Sequence, residues 1–375
     1  MRYGFTTGSC AAAAAKGAAW MLLTGRRKEE ISIETPKGIR FQARLLDIRR
    51  EEGRVRCAVR KDGGDDPDVT TGTLIYAEVS ILGEALAETG QLLIDGGEGV
   101  GRVTRPGLDQ PVGNAAINHV PREMIEREVH EVCALTDYRG GLKVLISVPE
   151  GEKLAERTFN PRLGIVGGIS ILGTSGIVEP MSRQALLDTI RVELKQRRTL
   201  GDTRVAIAPG NYGQEFMKRA YGYDLDRSVK CSNFIGDTVD MAAELGFRKI
   251  LLTGHIGKLI KVAGGIMNTH SREADCRMEL LCALAVRAGA KTACLRRILD
   301  CATAEEAVPI LKEYGVLSAV MDEAAERICF YLEKRAQGKL RADCILYSSE
   351  LGELAKSEEA EQWFTLLEQE RERRI

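Results

Sequence analysis

The chain has 375 residues, with 53 lysines and arginines against 54 aspartates and glutamates, for a formal net charge of −1. That balance argues against non-specific nucleic-acid binding, which draws on a basic excess, and the length predicts two or three domains. Ten cysteines without a C-x-x-C pair and four dispersed histidines predict reduced thiols in a cytoplasmic protein and no protein-bound metal.

The chain opens with a Thr6-Thr7-Gly8-Ser9 turn and an alanine run, Ala11 to Ala15, before Lys16. Lys16 and Gly17 split the apolar stretch, so it reads neither as an export signal nor as a membrane span. No other stretch reads as a span. The pattern predicts a helix capped by Thr7 or Ser9. Short β-rich runs follow at 31–34, 40–46, 54–59, 74–82, 91–95 and 142–148, separated by glycine and proline turns. A helix is expected over 122–134. Residues 1–150 thus read as an α+β domain.

From Gly164 the pattern changes. Apolar runs at 165–172, 205–208, 229–231 and 250–253 alternate with helical stretches at 182–198, 214–220, 237–245 and 271–288. Helices at 303–314 and 318–335 precede a further strand at 343–347. Strands alternating with helices predict βαβ units and a parallel sheet. The expectation is a Rossmann-like, three-layer α/β domain over 151–350, then a charged helix or tail over 351–375.

In an open parallel sheet, ligands bind beyond the carboxyl ends of the strands. Each of the four apolar runs is followed by glycine and small polar residues. These are Gly173-Thr174-Ser175-Gly176 with Glu179; Pro209-Gly210-Asn211-Tyr212-Gly213; Ser232-Asn233-Phe234 with Gly236-Asp237; and Gly254-His255-Ile256-Gly257-Lys258. Glycines admit close backbone approach, and the next helix presents free amides. Four such loops suggest a nucleotide-like ligand; tight turns without a ligand are the alternative. Gly97–Gly101 lacks the G-x-G-x-x-G spacing, and Gly254–Lys258 lacks the first glycine of a P-loop. Glu179 and Asp237 are placed to bind ribose hydroxyls or, equally, to serve helix ends.

Gly264-Gly265 interrupts a helical pattern after Lys258, and Asn268, Thr269, His270, Ser271 and Arg272 then cluster. The cluster is either a helix cap or a ligand-facing loop with His270 and Arg272 turned inward. Asp62, Asp65, Asp66 and Asp68 read as a solvated turn with Asx hydrogen bonds rather than a metal loop. Arg102, Arg105, Arg122 and Arg162 stand near glycine or proline turns and together suit a polyanion.

These motifs resemble the CbiD family of cobalt-precorrin-5B C1-methyltransferases. The resemblance is carried by residues 3–16 (YGFTTGSCAAAAAK), 61–70 (KDGGDDPDVT), 97–107, 116–122 (AINHVPR), 160–182, 209–213 (PGNYG) and 254–275. Asn114, where an acidic residue is expected, and His119 depart from it. The resemblance implies methyl transfer from S-adenosylmethionine to C1 of cobalt-precorrin-5B, giving cobalt-precorrin-6A in oxygen-independent cobalamin synthesis. The cobalt would arrive inside the tetrapyrrole substrate.

Under that reading, residues 1–150 hold the substrate and 151–350 the methyl donor. Gly173, Thr174, Ser175, Gly176, Glu179, Gly210, Asn211 and Gly254 are expected at the donor. Thr6, Thr7, Ser9, Lys16, Arg102, Arg105, Lys258, His270 and Arg272 are expected at the substrate, with the alanines either facing the flat macrocycle or packing against a strand. Asp237 and His255 are the candidate catalytic bases, although methyl transfer does not require one. Expected partners are the substrate alone, without nucleic acid or membrane, and either a second copy of the chain or transient contact with neighbouring pathway enzymes. A nicotinamide-dependent tetrapyrrole reductase and a cobalt-tetrapyrrole carrier are the alternatives.

Overall fold

The computed structural model describes residues 2–66, 68–82, 90–180 and 182–372. Pro67 of the acidic cluster, Met181 of the 160–182 motif and residues 373–375 of the tail lie outside the described residues. The chain divides into two units, Met1–Ala185 and Leu186–Ile375. Residues 151–185, assigned from sequence to the second domain, therefore fold with the first.

The strands of the first unit are β1 (Gly4–Phe5), β2 (Glu30–Glu34), β3 (Arg40–Arg44), β4 (Leu46–Glu51), β5 (Arg54–Arg60), β6 (Leu74–Ile81), β7 (Leu92–Gly96), β8 (Arg102–Val103), β9 (Leu142–Ser147), β10 (Ile165–Val166) and β11 (Ile177–Val178). Its helices are α1 (Thr7–Thr24), α2 (His119–Leu135), α3 (Gly151–Ala155) and α4 (Asn160–Leu163). A five-stranded sheet runs β4-β5-β6-β9-β7, antiparallel except that β7 and β9 are parallel. β5 and β6 pack one face of this sheet against α1.

The alanines explain how closely α1 lies on that sheet. Ala11 to Ala15 are all fully buried. The Cys57 thiol of β5 reaches the Ala14 carbonyl at 3.2 Å. Small side chains permit that approach and alanine is the best helix former. Of the two readings left open for the alanines, packing against strands is the one the structure adopts.

The run at 165–172 corrects the parallel-sheet expectation. Only Ile165–Val166 is strand, and it pairs antiparallel with β8. Val100–Ile169 and Ile117–Ile171 form isolated bridges within the same unit. Glycines at 164, 167 and 168 punctuate the run, so its apolarity reflects burial rather than a long strand.

The second unit holds β12 (Arg204–Ala208), β13 (Val229–Lys230), β14 (Lys249–His255), β15 (Arg341–Ser348) and β16 (Gly352–Lys356). The order is β13-β12-β14-β15-β16, with the first four parallel and β16 antiparallel at the edge. Its helices are α5 (Arg183–Thr199, which begins just before the division), α6 (Gln214–Tyr221), α7 (Ile235–Glu244), α8 (Ile256–Ala263), α9 (Arg277–Arg287), α10 (Thr292–Leu299), α11 (Ala304–Glu313), α12 (Leu317–Arg335) and α13 (Trp363–Glu372). The sheet is apolar on both faces. Ile250 and Leu252 pack with residues of α7 to α12, while Leu251 and Ile345 pack with Met217, Tyr223 and Trp363. Burial on both sides is why these strands read as unbroken apolar runs.

Three expectations change here. The stretch 351–375 holds the expected helix, α13, but it also contributes β16 to the sheet and buries Trp363, whose indole donates to Asp343 at 2.7 Å. The helix expected from residue 271 begins at Arg277, since the Lys261 ammonium binds the Thr269 and Ala274 carbonyls at 3.3 and 2.9 Å and holds the intervening loop. The helix expected after Lys258 starts two residues earlier, at Ile256, as α8.

Candidate functional site

The Thr-Thr-Gly-Ser turn of the first unit is closed on itself. Thr6, not Thr7 or Ser9, caps α1, its hydroxyl accepting from the Ser9 amide at 3.2 Å. The Thr7 hydroxyl accepts from the Leu172 amide at 2.9 Å and lies 3.2 Å from the Leu172 carbonyl, to which it can donate. The Ser9 hydroxyl donates to the Gly176 carbonyl at 2.6 Å. All three residues are buried.

The partner of this turn is Gly173–Gly176, the loop expected at the methyl donor. Gly173 has φ +132° and so little room that a Cβ would lie 2.4 Å from Thr6. Ser175 bonds within its own turn, to the Ile177 carbonyl at 3.1 Å, and Thr174 is exposed. Glu179 is ion-paired with Lys37. The expected substrate hydroxyls and the expected donor loop thus satisfy each other, which fixes the start of α1 against β11.

Lys16 is equally engaged. It is 9% exposed and its ammonium binds Glu128 at 2.7 Å and Glu131 at 2.8 Å. Burial opposes the charge, yet the two carboxylates hold its pKa above the ordinary lysine value. A buried, doubly paired ammonium is not available to a substrate carboxylate.

The acidic cluster is also occupied. Asp62 pairs with Arg2, and Asp68 accepts from the buried Lys61 ammonium at 2.5 Å and from the Thr70 amide and hydroxyl at 2.8 and 2.7 Å. This is the Asx turn expected from sequence. Among the arginines, Arg102 pairs with Asp95 at 2.8 Å, and Arg105 crosses Gly164 to donate to the Arg162 carbonyl at 3.1 Å. Both are exposed, and Arg102 stands opposite the exposed Val166 on the β8–β10 ribbon.

The second unit presents a different arrangement. From β12 the chain passes to β13 on one side, then to β14 on the other, so the order reverses between the carboxyl ends of β12 and β14. A crevice forms where connections diverge in this way. Gly210 and Asn211 follow β12, and a Cβ on Gly210 would meet nothing within 4 Å. Ser232, in the left-handed region at φ +51°, and Asn233 follow β13. Asn233 accepts the Thr269 amide and hydroxyl at 3.0 and 3.1 Å, which docks the 268–272 loop on the end of β13. His270 and Arg272 are exposed there. The structure brings these residues together although they are far apart in sequence.

His255 ends β14 and caps α8. Its Nδ1 accepts from the Gly257 amide at 3.1 Å, which makes Nε2 the protonated nitrogen of the neutral ring. Nε2 lies 2.8 Å from the Glu305 carboxylate and 3.2 Å from the Ser349 hydroxyl. Glu305 also accepts the Ser349 amide at 3.0 Å. Both ring nitrogens of His255 are thus engaged. Gly254 serves packing: a Cβ there would lie 2.3 Å from Leu259. Asp237 is half-buried in the first turn of α7, where its charge adds to that of Asp240, the direct partner of Arg335.

Lys258, in the first turn of α8, is half-buried and makes no hydrogen bond or ion pair among the described residues. Burial pushes its pKa below the ordinary lysine value, and the charge of Lys261 acts in the same direction. A helix amino end also disfavours a cation. Glu305, Ser349 and Tyr347 were missed from sequence, since nothing local marks a residue that supports another across a sheet. Tyr212 was legible only as the bulky member of a glycine-rich loop.

The fold defines a mixed α/β protein whose second unit is a largely parallel sheet with a reversal of strand order. The comparisons make the assignment particular. Residues 1–180 match the family model described as CbiD, and residues 268–358 match the model described as CbiD, C-terminal domain. A protein of Ruminiclostridium cellulolyticum named cobalt-precorrin-5B C(1)-methyltransferase is 48% identical over 93% of this chain and 89% of its own. One of Alkaliphilus metalliredigens with the same name is 44% identical over 99% of this chain and 96% of its own. A crystal structure described as cobalamin biosynthesis protein (cbiD) from Archaeoglobus fulgidus aligns with TM-score 0.39 and 28% identity, over 72% of this chain and 83% of that one. The chain belongs to the CbiD family.

Proposed function

We propose that this chain methylates C1 of cobalt-precorrin-5B to give cobalt-precorrin-6A in cobalamin biosynthesis, with S-adenosylmethionine as donor. The observation that carries the reading is the identity to relatives of that name along nearly the whole chain. Neither the reductase nor the carrier reading draws support from them.

The second unit is read as Rossmann-like and as the donor-binding part. Its crevice suits a donor of this kind: Gly210 leaves open space, and Asn211 and Asn233 offer amide donors and acceptors beside it. Bound there, the sulfonium would supply an already activated methyl group. The protein's task is then alignment and exclusion of water rather than proton transfer. The geometry of His255 agrees with that division of labour, since it orients the start of α8 through Gly257 and Glu305.

For the carboxylates of the tetrapyrrole, Arg102 and Arg105 are the proposed contacts in the first unit. Lys258, His270 and Arg272 are the proposed contacts in the second. Lys258 is the strongest of these, because an unpaired half-buried cation gains most from an anion.

Calorimetric titration with S-adenosylhomocysteine, with NADPH as control, tests the reading. Saturable binding of the first alone is expected, followed by conversion of cobalt-precorrin-5B in an anaerobic assay. Binding of NADPH alone contradicts it.

No helix among the described residues is long and apolar enough to cross a membrane.

A further inference from the structure

Tyr212 is 80% exposed, yet it sits on a loop that is held in place. Its own carbonyl accepts from the Tyr347 hydroxyl. The neighbouring Asn211 carbonyl accepts the Gln214 amide at 3.1 Å. Gly213, at φ +84°, lies so close to the Tyr347 ring that a Cβ would come within 2.4 Å of it. Tyr347 itself is 2% exposed, and burial pushes its pKa above the ordinary tyrosine value, so its hydroxyl remains a donor.

The rings form a series leading outward. Phe216 and Tyr347 lie 5.2 Å apart, Tyr347 and His255 6.1 Å, and His255 and Tyr212 6.5 Å between centroids. His255 is fixed by Glu305 and Gly257. Tyr212 is the outermost ring, displayed above the carboxyl end of β12 where the strand order reverses. A scattered exposed aromatic needs no explanation. One whose backbone is already fixed loses little further entropy on meeting a ligand.

We infer that Tyr212 is the stacking platform for the adenine ring of the methyl donor. The inference rests on the donor reading above and names the residue that recognises the base. Two features select adenine over the macrocycle. The loop Pro209-Gly210-Asn211-Tyr212-Gly213 carries no charge, whereas a polycarboxylate asks for cations beside its rings. The exposed Asn211 amide provides one donor group and one acceptor, the complement of an adenine edge.

The test is calorimetric titration of the full chain and its Tyr212→Ala and Tyr212→Phe variants with S-adenosylhomocysteine and with adenosine. Adenosine lacks the amino-acid half. Tyr212→Ala is expected to weaken both ligands by the same factor, about tenfold or more. Tyr212→Phe is expected to stay within about threefold of wild type, because stacking needs the ring and not the hydroxyl. Melting temperatures should not change, since the side chain is exposed. Wild-type affinity in Tyr212→Ala for both ligands would overturn the assignment alone. Weakening of S-adenosylhomocysteine without weakening of adenosine would overturn it too, by moving the contact off the base. Failure of the wild-type chain to bind S-adenosylhomocysteine would overturn the donor reading and this inference together.

Discussion

Two short stretches rich in glycine and small polar residues end up in opposite states. In the first unit, Thr6, Thr7 and Ser9 are buried, and their hydroxyls go to backbone groups of residues 9, 172 and 176. In the second, Asn211 and Tyr212 are exposed on a loop whose backbone is pinned by Tyr347. Composition alone did not separate them. The difference lies in where the partners are, and partners contributed from more than 160 residues away are invisible in a local motif. A polar group that is already satisfied stabilises the fold, and one that is held but left open is available to a ligand.

Substitutions on the two sides should therefore fail in different ways. The largest effect is expected from Lys16→Ala. It leaves Glu128, which is nearly inaccessible, with only Arg127 as a charged partner among the described residues. The cost should be about 3 kcal/mol, read as a fall in thermal stability with unchanged affinity for S-adenosylhomocysteine. Unchanged thermal stability would contradict the structural role of Lys16.

Gly213→Ala should come next, at about 2 kcal/mol, from the left-handed backbone and the contact with Tyr347. Unlike Lys16→Ala, it should also weaken S-adenosylhomocysteine binding, because it dislodges the loop that carries Tyr212. A purely structural loss would blur the contrast.

The smallest effect concerns acid. Burial works against the Asp68 carboxylate, but Lys61 and Thr70 hold its pKa below the ordinary value of 3.8. A depressed carboxylate contributes stability above its unfolded pKa, and that contribution is lost as pH falls through the lower folded value. Asp68→Asn should flatten the stability profile below about pH 4. An unchanged acid limb in a thermal scan would remove Asp68 from the account.

Much of the fold was legible. The strands at 54–59, 74–82, 205–208 and 250–253 and the helices at 182–198 and 318–335 are present within a few residues, because their periodicity or apolar runs record burial directly. The run at 165–172 misled, since buried irregular backbone and buried strand share the same apolar composition. Helix α8 was legible from Lys258 to Gly264, but its first residues read as loop because of Gly254 and Gly257, whereas Gly254 is there to let Leu259 pack. Of the proposed site, sequence pointed to Gly210, Asn211 and Lys258. It could not point to Glu305, Ser349 and Tyr347, whose roles depend on which strand ends neighbour one another.

Hydrogen–deuterium exchange with and without S-adenosylhomocysteine tests the central contrast most directly. The account predicts slowed exchange in residues 209–214 and 255–258, with residues 6–10 and 172–179 unchanged. Slowing confined to residues 172–179 would contradict it and return the methyl donor to the turn that packs against α1.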